Sequence, residues 1–137
     1  DVGDIVLPAD RHGGPDQRVP IVVNERNQPK LTKRCAEGKA WVTALLPGFS
    51  APFADGPQGE IERKVVTESD IARENYALPE APRLASDGLR RPIHATAQAL
   101  EWSVEDGVPE FRFTLDKGTY ATSFMREIMK AEDSRAY

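Results

Sequence analysis

Residues 100–115 of the chain read LEWSVEDGVPEFRFTL, and apolar and polar side chains alternate on both sides of the centre. Such alternation is typical of strands that turn one face toward a core. The centre, Asp106-Gly107, favours a tight type I′ turn, because both central positions of that turn need a positive φ. These residues therefore predict a two-stranded antiparallel hairpin. Its apolar face is expected to carry Leu100, Trp102, Val104, Phe111, Phe113 and Leu115.

A helix is predicted after this hairpin, behind Gly118, with Thr119 as its N-cap residue. Its apolar residues recur at helical spacing and form one stripe. The stripe comprises Ala121, Phe124, Met125, Ile128 and Met129. An isolated hairpin is marginally stable in water, so the hairpin and helix are expected to pack on a larger sheet. We therefore expect part of the hydrophobic core to be formed by polypeptide outside this sequence.

Short apolar segments in the first half of the chain predict three more strands, at residues 3–8, 19–23 and 39–46. Pro20 confines the second of these to a sheet edge or lies in the first residues of the strand. The third is apolar on both faces, which favours an internal position. Together with the predicted helices, these strands indicate an α+β fold with mixed sheets and short helices.

Helices and loops between these strands follow from turn and cap residues. Residues 28–38 suit a short helix that ends at Gly38, whereas residues 9–18 predict an exposed loop. Residues 48–59 contain three glycines and two prolines and are also predicted to be a loop. Thr67 is expected to be the N-cap of a two-turn helix, with Asp70 in place of the usual capping-box Glu.

Composition excludes several classes of protein. The 137 residues carry a net charge of -4, which does not by itself indicate a nucleic-acid partner. No apolar run reaches the ~18 residues that a membrane-spanning helix needs. Cys35 is the sole cysteine, and His12 and His94 lie far apart, so neither a disulfide framework nor a metal site is expected.

Charge is nevertheless uneven along the chain. Residues 18–39 hold six basic and two acidic side chains, a local excess of +4. Such a segment can bind a phosphate backbone, because lysine and arginine release counterions there. The alternative interpretation is a solvated surface of mixed sign. We keep both interpretations at this point.

Catalytic motifs are few. The sequence has no nucleophile elbow, no P-loop and no dinucleotide-binding glycine motif. Asp106 and Glu110 belong to a solvated turn and are not expected to act as a general acid and base. Residues 117–127 stand apart, because Gly118 allows close backbone approach and a helix N-terminus offers unpaired N–H groups to an anion or a nucleotide. The alternative is a simple turn in which Tyr120 fills the core.

The segment from Phe111 to Lys130 resembles the C-terminal signature of the tRNA pseudouridine synthase D (TruD) family, which reads roughly F-x-L-x-x-G-[ST]-[YF]-A-T-x-x-x-R-E. Further pieces fit this family in order, so the resemblance covers nearly the whole chain. They are GDIV at 3–6, GKAWVTALLPG at 38–48, GEIE at 59–62 and GLRR at 88–91.

The resemblance implies that the parent protein isomerises a uridine in tRNA to pseudouridine, typically the uridine at position thirteen, without cofactor or metal. In this family one aspartate acts on the flipped-out nucleotide while an aromatic side chain stacks on the base. The expected partners are tRNA and the missing N-terminal part of the same protein, with no membrane partner. The expected location is the cytoplasm.

The resemblance also implies two domains. Residues 1–88 would be the later part of a family-specific inserted α/β domain. Residues 89–137 would return to the pseudouridine synthase catalytic domain as its C-terminal hairpin and helix.

The family's catalytic aspartate lies in a G-x-K-D segment, and this sequence has none. We therefore assign no catalytic residue, and the chain alone is expected to be inactive. By resemblance, the substrate-binding residues are Gly118, Thr119, Tyr120, Ala121, Thr122 and Arg126.

Thr122 occupies the position at which other pseudouridine synthases have an arginine that contacts the aspartate. Arg126, one turn along the helix, can supply that cation or can form an ion pair with Glu127. The basic segment 18–39 and the pair Arg90/Arg91 are candidate phosphate contacts.

Two other classes of function compete with this one. The chain can be a free-standing RNA-binding module without catalysis, in which case its tRNA affinity should fall steeply with salt. It can also be a structural or protein-interaction domain whose basic segment has no role.

Overall fold

The computed structural model describes residues 1–116 and 118–130, and the chain divides into two compact units, Asp1–His94 and Ala95–Tyr137. The predicted α+β class is confirmed. Among the described residues, the first unit contains a four-stranded sheet with two α-helices, and the second contains a two-stranded sheet with one α-helix. Each sheet is antiparallel.

The four-stranded sheet has the order β2-β1-β3-β4. Its strands are β1 (Ile5–Pro8), β2 (Ile21–Val22), β3 (Ala40–Leu46) and β4 (Leu89–Pro92). The predicted edge position of residues 19–23 is confirmed, since β2 pairs with β1 alone. The predicted internal position of residues 39–46 is also confirmed, because β3 lies between β1 and β4.

Helix α1 (Gln28–Ala36) covers one face of this sheet. Pro29 lies in its first turn, where a missing N–H costs nothing. Leu31 is its buried residue and packs with Val6, Val23 and Ala40. Gly38 follows the helix with a φ of +67°, as predicted for a residue just beyond a helix end.

Helix α2 (Gly56–Glu68) corrects two predictions. The helix occupies the end of the predicted 48–59 loop, and Thr67 lies in its last turn instead of capping a new helix. The Thr67 hydroxyl donates to the Arg63 carbonyl at 2.9 Å, and Asp70 leaves the helical region with a φ of +56°. Pro57 is compatible with the first turn of a helix. Gly59 is required by packing, because a Cβ there would overlap the Ala54 carbonyl oxygen.

A buried ion pair joins α2 to the sheet. The guanidinium of Arg90 on β4 donates to both carboxylate oxygens of Glu62 on α2, at 2.8 and 2.9 Å. The side chains of Arg90 and Glu62 are only 3% and 4% exposed. Because burying charge is costly unless it is paired and hydrogen-bonded, the remaining polar atoms of this pair also need partners.

Backbone and hydroxyl groups supply those partners. Arg90 donates to the hydroxyl and the carbonyl of Thr43, at 3.0 and 2.7 Å. Glu62 accepts the N–H groups of Leu45 and Ala54, at 3.1 and 2.9 Å. Thr43 in turn donates to the Ile5 carbonyl at 2.7 Å. The network therefore links β1, β3, β4 and α2 across the face opposite α1.

Residues 89–94 belong to the first unit. β4 pairs with β3 from Leu46↔Leu89 to Thr43↔Pro92, and the two units divide between His94 and Ala95. This division lies six residues after the domain boundary predicted at 88/89. The assignment of the two parts to an inserted and a catalytic domain stays a prediction.

We predict that Glu62→Ala lowers the free energy of unfolding by about 3–5 kcal/mol, because it leaves the buried Arg90 charge without its partner. Chemical denaturation of the 137-residue chain measures this loss. Glu60→Ala, on an exposed turn of the same helix, is the matched control and should change stability by less than about 0.5 kcal/mol. Equal effects of both substitutions would contradict the prediction.

A pH dependence follows from the same carboxylate. Burial raises the pKa of Glu62, but hydrogen bonds from Arg90, Ala54 and Gln58 outweigh burial and hold the pKa below its usual 4.5. The stability from Glu62 is therefore present above pH 4.5 and is lost as the pH falls through the lowered pKa.

The free energies of unfolding of the wild type and Glu62→Gln should therefore differ most near neutral pH. This difference should become smaller below about pH 4, where the protonated acid resembles the amide. A gap that stays constant down to about pH 2 would show that ionisation of Glu62 contributes nothing.

Candidate nucleic-acid interface

The second unit begins with a hairpin of β5 (Gln98–Glu105) and β6 (Val108–Thr114). The predicted Asp106-Gly107 turn is confirmed, with φ values of +52° and +80°. Trp102 pairs with Phe111, so these two aromatic residues lie on the same face of the hairpin. Ala99, with a φ of +49°, marks an irregularity near the start of β5.

Most of this hairpin is exposed. Trp102 is 69% exposed, Val104 55% and Leu100 49%. The predicted packing of the apolar face against a core is seen at one position, where the rings of Phe113 and Phe124 lie 4.5 Å apart between centroids. That contact attaches the helix α3 (Ala121–Met129) to the end of the hairpin.

The turn from β6 into α3 differs from the prediction in one detail. The N-cap residue is Tyr120, with extended backbone, and no side chain caps the helix. Thr119, the predicted N-cap, instead donates its N–H to the Asp116 carbonyl at 3.0 Å. Helix α3 therefore begins one residue later than the sequence predicts. Lys117 lies outside the described residues.

The predicted substrate-binding residues occupy this turn and the first turns of α3. Thr119 is half-buried and the other five are exposed; the six are Gly118, Thr119, Tyr120, Ala121, Thr122 and Arg126. Tyr120 is 62% exposed in this chain. The choice between a binding site and a simple turn in which Tyr120 fills the core stays open. Thr122 and Arg126 are four residues apart in α3 and therefore lie on one side of the helix.

Gly118 gives this turn its open surface. Its φ is +89°, a conformation that side chains other than glycine rarely adopt. A Cβ built on Gly118 meets no atom of the described chain within 4 Å. The backbone here can therefore be approached closely from outside. No acidic residue lies in the first turn of α3, so the positive end of the helix is not neutralised by its own sequence.

Glu127 is held by a lysine. Lys130 donates to the Glu127 carboxylate at 2.8 Å, and this hydrogen bond lowers the pKa of Glu127. Lys130 is therefore the main partner of that carboxylate. The choice between the two predicted roles of Arg126 stays open.

The basic segment 18–39 is partly neutralised by its neighbours. Arg18 makes two hydrogen bonds of 2.8 Å to Asp16. Lys33 and Lys39 both lie within ion-pair distance of Glu37. Glu37 is already counted in the local excess of +4, so the pairing with Asp16, outside the segment, lowers that excess to +3.

Arg90 is a correction to the predicted phosphate contacts. Its side chain is buried and fully engaged with Glu62 and Thr43, so it is not available to RNA. Arg91 is the exposed member of the pair. Successive residues of a strand point to opposite faces, which places the two arginines on opposite sides of the sheet.

The described residues contain no group of three or more His, Cys, Asp or Glu side chains that could hold a metal ion. In the same ranges, no helix is long and apolar enough to cross a membrane.

A family model described as tRNA pseudouridine synthase D (TruD) matches residues 1–128. The chain belongs to the TruD family. This confirms the resemblance that the strand, glycine and helix signature indicates. Because the match begins at residue 1, it includes the four-stranded sheet as well as the hairpin and α3.

TruD relatives from archaea resemble the chain over almost its full length. A protein of Methanococcoides burtonii, named "Probable tRNA pseudouridine synthase D", is 39% identical over 137 residues, covering 96% of this chain and 31% of the relative. A protein of the same name from Thermococcus sibiricus is 40% identical over 129 residues, covering 93% and 30%. The chain therefore spans about a third of the length of these curated relatives.

A solved TruD structure supports the fold. The crystal structure of the Methanosarcina mazei protein matches with a TM-score of 0.84 at 31% identity, over 96% of this chain and 31% of that one.

We predict that Phe124→Ala loosens α3 from the hairpin, because it removes the ring that packs on Phe113. A half-buried aromatic pair of this kind should contribute about 1–2 kcal/mol. Hydrogen exchange of the α3 amides measures the effect. Ser123→Ala, at an exposed neighbouring position, should leave exchange unchanged, and unaltered exchange in Phe124→Ala would contradict the prediction.

Proposed function

We propose that the chain is the C-terminal part of a tRNA pseudouridine synthase, and that the parent enzyme isomerises uridine thirteen of tRNA to pseudouridine in the cytoplasm. The observation that carries this proposal is the family match over residues 1–128. The exposed glycine turn that precedes α3 supports it, because it lies in the most specific motif of the chain.

Uridine in a folded RNA is stacked, so an enzyme that rebuilds its glycosidic bond must first extrude the nucleotide. Extrusion costs a few kcal/mol, which contacts to phosphates and to the base must offset. The 118–122 turn suits one part of this task. Its open backbone and the unpaired N–H groups at the start of α3 can bind the sugar–phosphate of the extruded nucleotide.

Tyr120 and Arg126 complete this proposed surface. An exposed aromatic ring beside the turn can contact a base, and the arginine, one turn further along α3, adds a cation. Conversion of uridine to pseudouridine is an isomerisation and leaves the number of atoms unchanged. It therefore requires no redox partner.

The reacting carboxylate must come from the rest of the parent protein. The chain has no G-x-K-D segment, and it spans 31% of the relatives' length. We propose that this missing part also covers the apolar face of the hairpin, where Trp102 and Val104 are exposed. The inserted domain would then comprise the earlier residues of the chain, and the catalytic domain its hairpin and α3.

For the isolated chain, the lack of a G-x-K-D segment favours a second function. Without the aspartate it can bind tRNA but not modify it, as an RNA-binding module would. Binding of a tRNA transcript by the 137-residue chain, measured as salt rises, tests this alternative. A steep fall in affinity supports it.

We predict that Gly118→Val in the parent enzyme abolishes pseudouridine formation. The new side chain would project into the open space above the turn and also strain a backbone with a φ of +89°. The measurement is carbodiimide labelling of pseudouridine followed by primer extension on a tRNA transcript. Full activity of this variant would remove Gly118 from the site.

Gly38→Val is the matched control for backbone strain. Gly38 also has a positive φ, +67°, and a Cβ built on it meets no atom within 4 Å, but it follows the C-terminal end of α1 in the first unit. It should therefore lose stability and retain pseudouridine formation below its melting temperature. Equal loss of activity in both variants would indicate unfolding instead of a blocked site.

A further inference from the structure

The exposed loop between β1 and β2, residues 9–18, is held by several hydrogen bonds. The Asp10 carboxylate accepts the backbone N–H groups of His12 and Gly14, at 2.8 and 3.0 Å. The Asp10 N–H donates to the Gly14 carbonyl at 2.7 Å. Its other end is tied to β4, because the Gln17 amide donates to the Arg90 carbonyl at 2.7 Å. Loops held in this way present their side chains in a fixed geometry, as binding loops do.

The acidic side chains of this loop are already engaged. Asp16 accepts two hydrogen bonds from the Arg18 guanidinium and one from the Arg18 backbone N–H, which lower the pKa of Asp16 to about 2. The backbone N–H of His12 likewise lowers the pKa of Asp10. Asp16 and Arg18 therefore form a neutral pair, and Asp10 serves the loop backbone.

Arg11 differs from these charged residues because its hydrogen-bond partner is a histidine ring. Its Nε donates to Nε2 of His12 at 2.9 Å. Within residues 1–116 and 118–130, no carboxylate lies within ion-pair distance of Arg11. The terminal nitrogens of its guanidinium therefore face solvent with their donors available, beside an exposed imidazole ring.

A hollow of about 520 Å³ lies beside these two side chains and is also lined by Asp10, Pro15, Asp16, Gln17 and Arg18. This volume falls within the range of about 300–1,000 Å³ that is typical of small-ligand sites. Asp16 is paired with Arg18 and Asp10 accepts backbone N–H groups, so the lining also offers a cation, an aromatic ring and polar groups, which can bind a nucleotide of an RNA loop.

We propose that the 9–18 loop is a second tRNA contact, where the Arg11 guanidinium binds a backbone phosphate and the His12 ring contacts the attached nucleotide. This inference rests on the proposed function, which makes tRNA the substrate. The planar guanidinium can donate two parallel hydrogen bonds to a phosphate, and its link to His12 limits the freedom that binding must remove. Histidine rings stack on unpaired RNA bases.

Steady-state kinetics of the full-length enzyme on a tRNA transcript test this contact. Arg11→Ala should raise KM for tRNA roughly threefold to tenfold with kcat unchanged. It should also reduce the slope of log affinity against log salt by about one, because one phosphate contact is lost. His12→Ala should weaken binding without changing that slope, because the proposed contact of the ring is with the nucleotide and not with a phosphate.

Two further variants separate this contact from general effects of charge and folding. Lys64→Gln combined with Glu68→Gln removes an exposed ion pair of α2 without changing net charge, and it should leave both KM and the salt slope unchanged. Arg11→Lys keeps the charge and should restore the slope. This variant keeps the test valid even if Arg11→Ala perturbs folding.

Wild-type KM and salt slope in both Arg11→Ala and His12→Ala would overturn the proposal. The proposed function would survive that result, because the wild-type enzyme would still form pseudouridine. A wild-type enzyme that forms none would refute the proposed function itself. If Arg11→Ala instead lost affinity for a protein partner with tRNA kinetics unchanged, the loop would be a protein-binding surface and the inference would be wrong.

Discussion

The buried ion pair between Arg90 and Glu62 is the interaction on which the first unit depends. Two charges removed from water must satisfy each other and every remaining polar atom, or the fold loses several kcal/mol. Here Thr43 and backbone groups supply the remaining partners. The requirement is directional, so it fixes how β4 lies beside β3 and how α2 lies on the sheet. An apolar contact of the same size would not specify that geometry.

The second unit is organised differently. Its hairpin has no buried residue, and a single aromatic contact, between Phe113 and Phe124, attaches α3 among the described residues. This exposure agrees with a chain that spans 31% of the relatives it matches. We propose that the rest of the parent protein covers this exposed apolar face. The same openness leaves the glycine turn at Gly118 accessible.

An acidic chain can still bind RNA, because local pairing decides which charges are available. Arg18, Lys33 and Lys39 are cations in the sequence, but each has a carboxylate neighbour in the fold. Arg11 lies outside the basic segment 18–39 and, among the described residues, has no carboxylate within ion-pair distance. Net charge and charge runs therefore do not show which cations have an acidic partner in the fold.

The sequence by itself determined the features that depend on neighbouring residues. The Asp106-Gly107 turn, the alternation in β5 and β6, the edge position of β2 and the TruD signature all follow from local pattern. Tertiary structure alone decided the rest. Helix α2 was not predicted because its glycines are typical of loops, whereas Gly59 is required by close packing against the Ala54 carbonyl. Arg90 looked like a surface arginine, because its burial depends on Glu62, 28 residues away in sequence.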